Sequence, residues 1–228
     1  MSKNVIIVGA GPGLSTSLAT KFSQLGKQVI VAARNTDKLA ELCTTTGATA
    51  IQCDSTEGTQ VAELFRKSDE LGTTETVIYN PSYRMRGSIA ELRPEDVQKS
   101  LQVNAYGAFL VAQQAAQRML KSGGGNVLFT GASASTKGFP MSATFAMGKF
   151  ALRGLAQSMA REFAPKNIHV AHIVIDGGIR SEQSATVADQ SDNMLDPNAI
   201  ADTYVMLSQQ QRSAWTWEIE LRPWDEKF

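Results

Sequence analysis

Asn4-Val5-Ile6-Ile7-Val8-Gly9-Ala10-Gly11-Pro12-Gly13-Leu14-Ser15 is the stretch that decides the fold of this chain. Val5 to Val8 are apolar and β-branched without alternation, the pattern of a strand covered on both faces in a parallel sheet. Glycines 9, 11 and 13 follow at once, and a helical period begins behind them. A strand, a glycine turn and a helix in that order aim backbone N–H groups at the carboxyl edge of the sheet, where they suit a pyrophosphate. A glycine loop alone is equally a bare tight turn; the flanking strand and helix point to a nucleotide. Gly9, Gly11, Pro12, Gly13 and Leu14 are therefore candidate cofactor contacts.

The same alternation continues down the chain. The pattern predicts strands at Asn4–Val8, Gln28–Ala33, Thr49–Cys53, Thr76–Tyr79, Asn126–Thr130 and His169–Ile175. Helices are expected at Gly13–Leu25, Thr36–Thr45, Thr56–Leu71, Pro94–Lys121 and Met141–Ala164. Gly123-Gly124-Gly125 reads as a helix stop and turn. A doubly wound α/β sheet follows, in one domain over residues 1–228. The last fifty residues differ: 179–197 reads as a polar substrate loop or lid, a helix opens at Pro197, Trp215–Leu221 reads as a final strand, and a charged tail ends the chain. Trp215 and Trp217 are expected on one face of that strand.

Composition narrows the partners. Twenty-two basic and twenty-two acidic residues cancel, with no run of like charge, which gives no electrostatic case for nucleic acid or an anionic membrane. Cys43 and Cys53 are the two cysteines, without metal-type spacing, so no metal is expected and a reduced, cytoplasmic setting is the expectation. The run Val5–Val8 is too short for a signal segment or a membrane span. His169 and His172, three apart in a strand, face opposite sides and suit packing rather than chelation.

The second predicted strand ends Ala32-Ala33-Arg34-Asn35. An NAD site places a carboxylate there for the adenosine ribose. Arg34 instead suits a 2′-phosphate, which favours NADP(H) over NAD(H), with a solvated loop arginine as the alternative. Asp54, past the third strand, is a candidate for the adenine amino group, and Asn80, ending the fourth, for the adenosine side. Either is also an ordinary turn residue.

With the glycine loop, Arg34, Asp54, Asn80, Asn104 and Lys149 in this order, residues 3–181 resemble the short-chain dehydrogenase/reductase family. Gly9 and Gly13 match its glycine motif, while its third glycine is Ser15 here. Its Asn-Asn-Ala-Gly stretch is Tyr79-Asn80-Pro81-Ser82, so Asn80 alone carries over. Val103-Asn104-Ala105 is similar to the family's helix asparagine, which serves structure and proton relay. Asp176-Gly177-Gly178-Ile179-Arg180-Ser181 resembles its Pro-Gly-x-Ile-x-Thr segment, with Gly177, Ile179 and Ser181 compatible with holding the nicotinamide amide. The resemblance also implies a sheet of seven strands and a homodimer or homotetramer built through the fourth and fifth helices, those expected at Pro94–Lys121 and Met141–Ala164.

The departures fall on the reacting side. Phe145 stands four residues before Lys149, where the family has its tyrosine acid, and Ala132, thirteen residues before Phe145, stands at its serine position. Atypical members of the family carry the same Phe-for-Tyr change. Lys149 keeps the role of a ribose ligand. Tyr83, Ser133, Ser142 and water are the fallback proton donors, with Ser135 beside Ser133. Two functions remain open: an NADP(H)-dependent oxidoreductase of unknown small-molecule substrate, acting on an activated carbonyl or C=C bond with Asn104 and Lys149 in the site, or a catalytically silent NADP(H)-binding sensor or assembly protein.

Overall fold

A computed structural model describes residues 2–180 and 193–226. The opening apolar run forms β1 (Lys3–Val8), whose residues from Asn4 onward are all buried. It lies third in a sheet completed by β2 (Gln28–Ala33), β3 (Thr49–Gln52), β4 (Thr73–Tyr79), β5 (Gly125–Thr130), β6 (Ile168–Ile175) and β7 (Glu218–Leu221). The strand order is β3-β2-β1-β4-β5-β6-β7, and every pairing is parallel. The order reverses between β1 and β4, so the crevice at their carboxyl ends is the switch point where such sheets take ligands.

Because strand side chains alternate, β1 feeds two cores. Val5 and Ile7 pack with Leu18 and Phe22 of α1 (Leu14–Gln24), Leu42 of α2 (Ala40–Thr46) and Tyr204 of α7 (Pro197–Ser208). Ile6 and Val8 join Phe65 of α3 (Gly58–Leu71), Val111 of α5 (Gly107–Ser122) and Leu152 of α6 (Ala143–Phe163) on the other face. This single-domain layering places the amino ends of α1 and α6 near the carboxyl edge of the sheet.

Two sequence expectations are corrected. The helix expected over Pro94–Lys121 is broken: α4 (Pro94–Leu101) passes through a π-helical turn, Gln102–Tyr106, before α5 starts at Gly107. The wider turn carries Asn104, whose side chain reaches back to another segment, and an i→i+5 pattern leaves no mark on apolar spacing. The final strand is also shorter than expected, and Trp215 and Trp217 do not share a face. Trp215 stacks on His169 at 4.8 Å between centroids, and His169 reaches the carbonyl of Leu207 in α7. Trp217 lies under Arg153 of α6. Both precede β7, so strand alternation does not govern them. His169 and His172 do take opposite faces: His172 contacts Glu218, which also holds Arg153.

Candidate active site

Two clefts open along the carboxyl edge of the sheet and share Ser82. The first, about 590 Å³, runs from the glycine loop past Arg34 and Lys38 to Asp54 and the Tyr83 side of α4. The second, about 440 Å³, is bounded by Thr130–Ala134, Phe139, Phe145, Lys149, Gly177 and Ile179.

The glycine loop is shaped by two contacts. Gly9 sits at φ +77 with the Pro81 ring so close that a Cβ would come within 2.5 Å of the proline nitrogen. Gly13 sits at φ +86 as the N-cap of α1, without a side-chain cap, and the first turn holds no acid. A Cβ on Gly11 or Gly13 would meet nothing within 4 Å, so the uncapped helix end faces open space. Uncapped amides beside an open cradle fit a pyrophosphate. Ser15, where a third glycine might stand by resemblance, is buried and accepts a hydrogen bond from Asn80 Nδ2 at 3.1 Å. That bond ties the end of β4 to α1.

At the far end of the first cleft the side chain of Arg34 is exposed, with Lys38 beside it on the cleft wall. Asp54 spends Oδ1 on the backbone N–H and the hydroxyl of Thr56. Its placement in the cleft and its turn role coexist.

The second cleft is floored by Lys149, which is 2% exposed. Its Nζ donates to the carbonyl of Thr130 at 2.9 Å. Burial lowers its pKa from 10.5 to about 8, because desolvation disfavours the ammonium. Phe145 lies one turn earlier, its ring centroid 5.8 Å from Nζ. Ala132 lines the same cleft and carries no hydroxyl. The carbon surfaces of Phe145 and Ala132 thus occupy the wall where a proton donor is expected.

Hydroxyls do stand nearby. Ser133 and Ser142 both line the second cleft. Ser135 does not serve, because its Oγ is buried and accepts from the Ala132 amide at 3.1 Å. Tyr83 is turned to the first cleft, and its hydroxyl donates to Asp96 at 3.1 Å. It is not brought to Phe145, since it belongs to the opposite side of its own segment. Asn104 is fully buried and clamps that segment, accepting from the Tyr83 amide and donating to the Tyr83 carbonyl. Its present partners make it a positioning residue.

Gly177 (φ +151) packs against Pro223, and Ile179 forms a bridge with Leu195. Asp176, which replaces the expected proline, is buried and paired with Lys137 at 3.0 Å. Ser181 and most of the expected lid at 179–197 lie outside the described residues.

A family model described as short chain dehydrogenase matches residues 3–192. This chain belongs to the short-chain dehydrogenase family. Family members are nicotinamide-dependent oxidoreductases and are typically oligomeric. A short-chain dehydrogenase from Rhodopseudomonas palustris is 34% identical, with TM-score 0.85 over 97% of this chain and 99% of that one. The cyclic-di-GMP-binding biofilm dispersal mediator protein of Escherichia coli K12 is 29% identical over 79% of this chain and 74% of its own length. An alcohol dehydrogenase of Thermococcus sibiricus, complexed with 5-hydroxy-NADP, shares the fold at TM-score 0.86 and 20% identity, over 100% of this chain and 99% of that one.

Within this short-chain dehydrogenase, the site contains residues that sequence reasoning missed. Lys38 adds a second cation beside Arg34; its signal was its place four residues after Arg34, in the first turn of the helix expected from Thr36. Arg84 and Arg86 line the second cleft, and their signal was the i, i+2 spacing just past β4.

Proposed function

We propose that this chain binds NADP(H) across the two clefts and serves as an oxidoreductase whose proton step uses no tyrosine. The carrying observation is Lys149: a buried ammonium with one acceptor among the described residues for its three N–H groups. A charge kept dry with donors to spare costs stability, and a ribose diol beside it would supply the missing acceptors. In that reading Arg34 and Lys38 take the 2′-phosphate, and the uncapped amides of Gly13 and Leu14 take the pyrophosphate. Asp54 lines the adenosine side; Asn80, expected there too, opens onto the second cleft with Gly177 and Ile179, because its amide is tied back to Ser15 at the end of β4, and these three take the nicotinamide end. A nicotinamide so held supplies or accepts a hydride. Lys149, with a pKa of about 8, holds a proton at neutral pH close to its release point, and Ser133 and Ser142 offer hydroxyls on the same wall. Quinones and activated C=C bonds suit this site better than simple ketones, because their proton can arrive from water after the hydride.

A second reading rests on Phe145 and Ala132: a chain that holds NADP(H) without turnover, as a sensor or assembly protein. The Escherichia coli relative, named for binding a cyclic dinucleotide, supports it. One experiment separates the two. NADPH oxidation is followed with aldehydes, quinones and enones, after thermal shifts have established binding. NADPH should raise the melting temperature more than NADH, and Arg34→Glu should abolish the difference; equal shifts would remove the NADP assignment. Enones or quinones should be turned over by the wild-type chain. Phe145→Tyr/Ala132→Ser should gain simple carbonyl reduction, by on the order of 100-fold or more. Tight NADPH binding with no turnover of any acceptor would establish the sensor reading.

A further inference from the structure

Resting on the reading of the second cleft as a substrate site, we propose that its substrate carries an oxyanion, a carboxylate or phosphate group, received by Arg84 and Arg86. The argument starts from the backbone that carries them. Residues 83–87 are fixed at alternate positions. Tyr83 is held through both its N–H and C=O by Asn104. The carbonyl of Met85 accepts from Thr144 Oγ1 at 2.6 Å, and the amide of Gly87 donates to the carbonyl of Met141 at 3.0 Å. These anchors pin residues 83, 85 and 87, and leave residues 84 and 86 to project from the same side. Arg84 and Arg86, both exposed, accordingly line the second cleft, while Tyr83 lines the first.

The charge they bring is uncompensated among the described residues. The lining of the second cleft contains Arg84, Arg86 and Lys149 and no described carboxylate. Asp176, near its floor, is already paired with Lys137. Neither Arg84 nor Arg86 forms an ion pair with a described residue. Their surroundings contrast with Arg153, which grips Glu218 through two nitrogens. Three cations in one concave site repel one another and concentrate anions there.

Phe145 has a part in this arrangement. The Arg84 guanidinium carbon lies 5.6 Å from its ring centroid, within cation–π range. The ring is a platform for the arginine as well as a gap in the proton machinery. Phe139, 47% exposed, adds an apolar wall. The matching ligand has a flat or apolar body, a reducible carbonyl or conjugated C=C, and an anionic end. Guanidinium forks bind carboxylates and phosphates in a planar two-point geometry that a neutral ester cannot return.

The test is isothermal titration of the protein, with and without saturating NADPH, using 4-oxo-4-phenylbut-2-enoate, its methyl ester and the corresponding phosphonate. The acid should bind at least about tenfold more tightly than the ester, and Arg84→Gln and Arg86→Gln should each narrow that ratio. Arg84→Lys should retain part of it. Saturating NADPH occupies Arg34 and Lys38, so an acid preference that persists with cofactor belongs to the second cleft. The acid-to-phosphonate ratio identifies the preferred oxyanion. Equal binding of acid and ester, or a preference untouched by both glutamine variants, would overturn the proposal. NADPH oxidation read on the same samples keeps the two claims apart. Tight acid binding without oxidation would leave the oxyanion site standing and remove the oxidoreductase reading. Oxidation that is as fast with the ester as with the acid, at equal affinity, would do the reverse.

Discussion

Lys149 is held in the folded chain against a desolvation penalty, and that penalty gives it a measurable signature. Its pKa falls from 10.5 to about 8 on folding. Between those values the unfolded chain binds the extra proton, so stability rises with pH through that window, and the full penalty applies below about pH 8. Each unit is worth about 1.4 kcal/mol, so the penalty is on the order of 3 kcal/mol at neutral pH. Lys149→Met should therefore make the cofactor-free protein more stable than wild type at pH 7, by up to that amount less the lost hydrogen bond to Thr130. The advantage should shrink as the pH approaches 10.5, as read from urea unfolding at the two ends. NADPH binding should weaken in the same variant. An advantage over wild type no larger at pH 7 than at pH 10 would mean that the ammonium is not desolvated. His172 beside it is shifted the same way for the same reason: burial lowers its pKa to about 4, leaving the ring neutral at physiological pH with Nδ1 on Glu218.

At the scale of elements, the π-helical turn between α4 and α5 explains how one asparagine fixes a distant loop. The widened turn carries Asn104 at 0% exposure, with its amide against both backbone groups of Tyr83 and against Ser100 Oγ. Gly148 of α6 makes room for it, since a Cβ there would lie 2.8 Å from Asn104 Cβ. Asn104→Ala strands the Tyr83 N–H and leaves its C=O only the 3.4 Å bond from Ser100 Oγ, which should cost about 1–3 kcal/mol in denaturant unfolding. Asn104→Asp keeps the acceptor for the amide but sets a carboxylate against the carbonyl, so it should recover less than half of the loss. Neither effect would follow if the asparagine acted solely on a bound substrate. This turn also marks where the sequence stops being legible. Strand and helix positions follow from apolar periodicity, and β1, β2 and β6 lie within a residue of their expected bounds. The glycine loop, Arg34, Asp54, Asn80 and Lys149 are readable because strand ends and spacing fix their location. The destination of Tyr83, the opposite faces of Trp215 and Trp217, and the pairing of Arg84 with Phe145 depend on tertiary contacts. No local pattern encodes them.

At the scale of the molecule, the sheet divides the labour: both clefts open at its carboxyl edge, and the outer helices are left to meet other surfaces. Among the described residues no helix is long and apolar enough to cross a membrane. Yet α5 and α6 expose large apolar side chains. Tyr106, just before α5, and Phe109 stack at 6.4 Å between centroids and are each about half exposed. Leu120 continues along α5, while Met147 and Phe150 are exposed on α6. The two helices lie on the same face of the sheet, packing on β4 and β6, so these exposed side chains belong to one side of the molecule. Apolar surface of that kind on helices with polar neighbours is a self-association signal. A homodimer through α5 and α6 accounts for it, and Phe109→Glu/Phe150→Glu should place charges on both sides of such an interface. Wild-type protein should sediment as a dimer or larger, and the double variant should shift toward monomer. Because neither residue lines a cleft, NADPH should still raise the melting temperature of the variant by a similar amount. A wild-type chain that sediments as a monomer at micromolar concentration would exclude this interface and leave the exposed aromatics as a surface for some other partner.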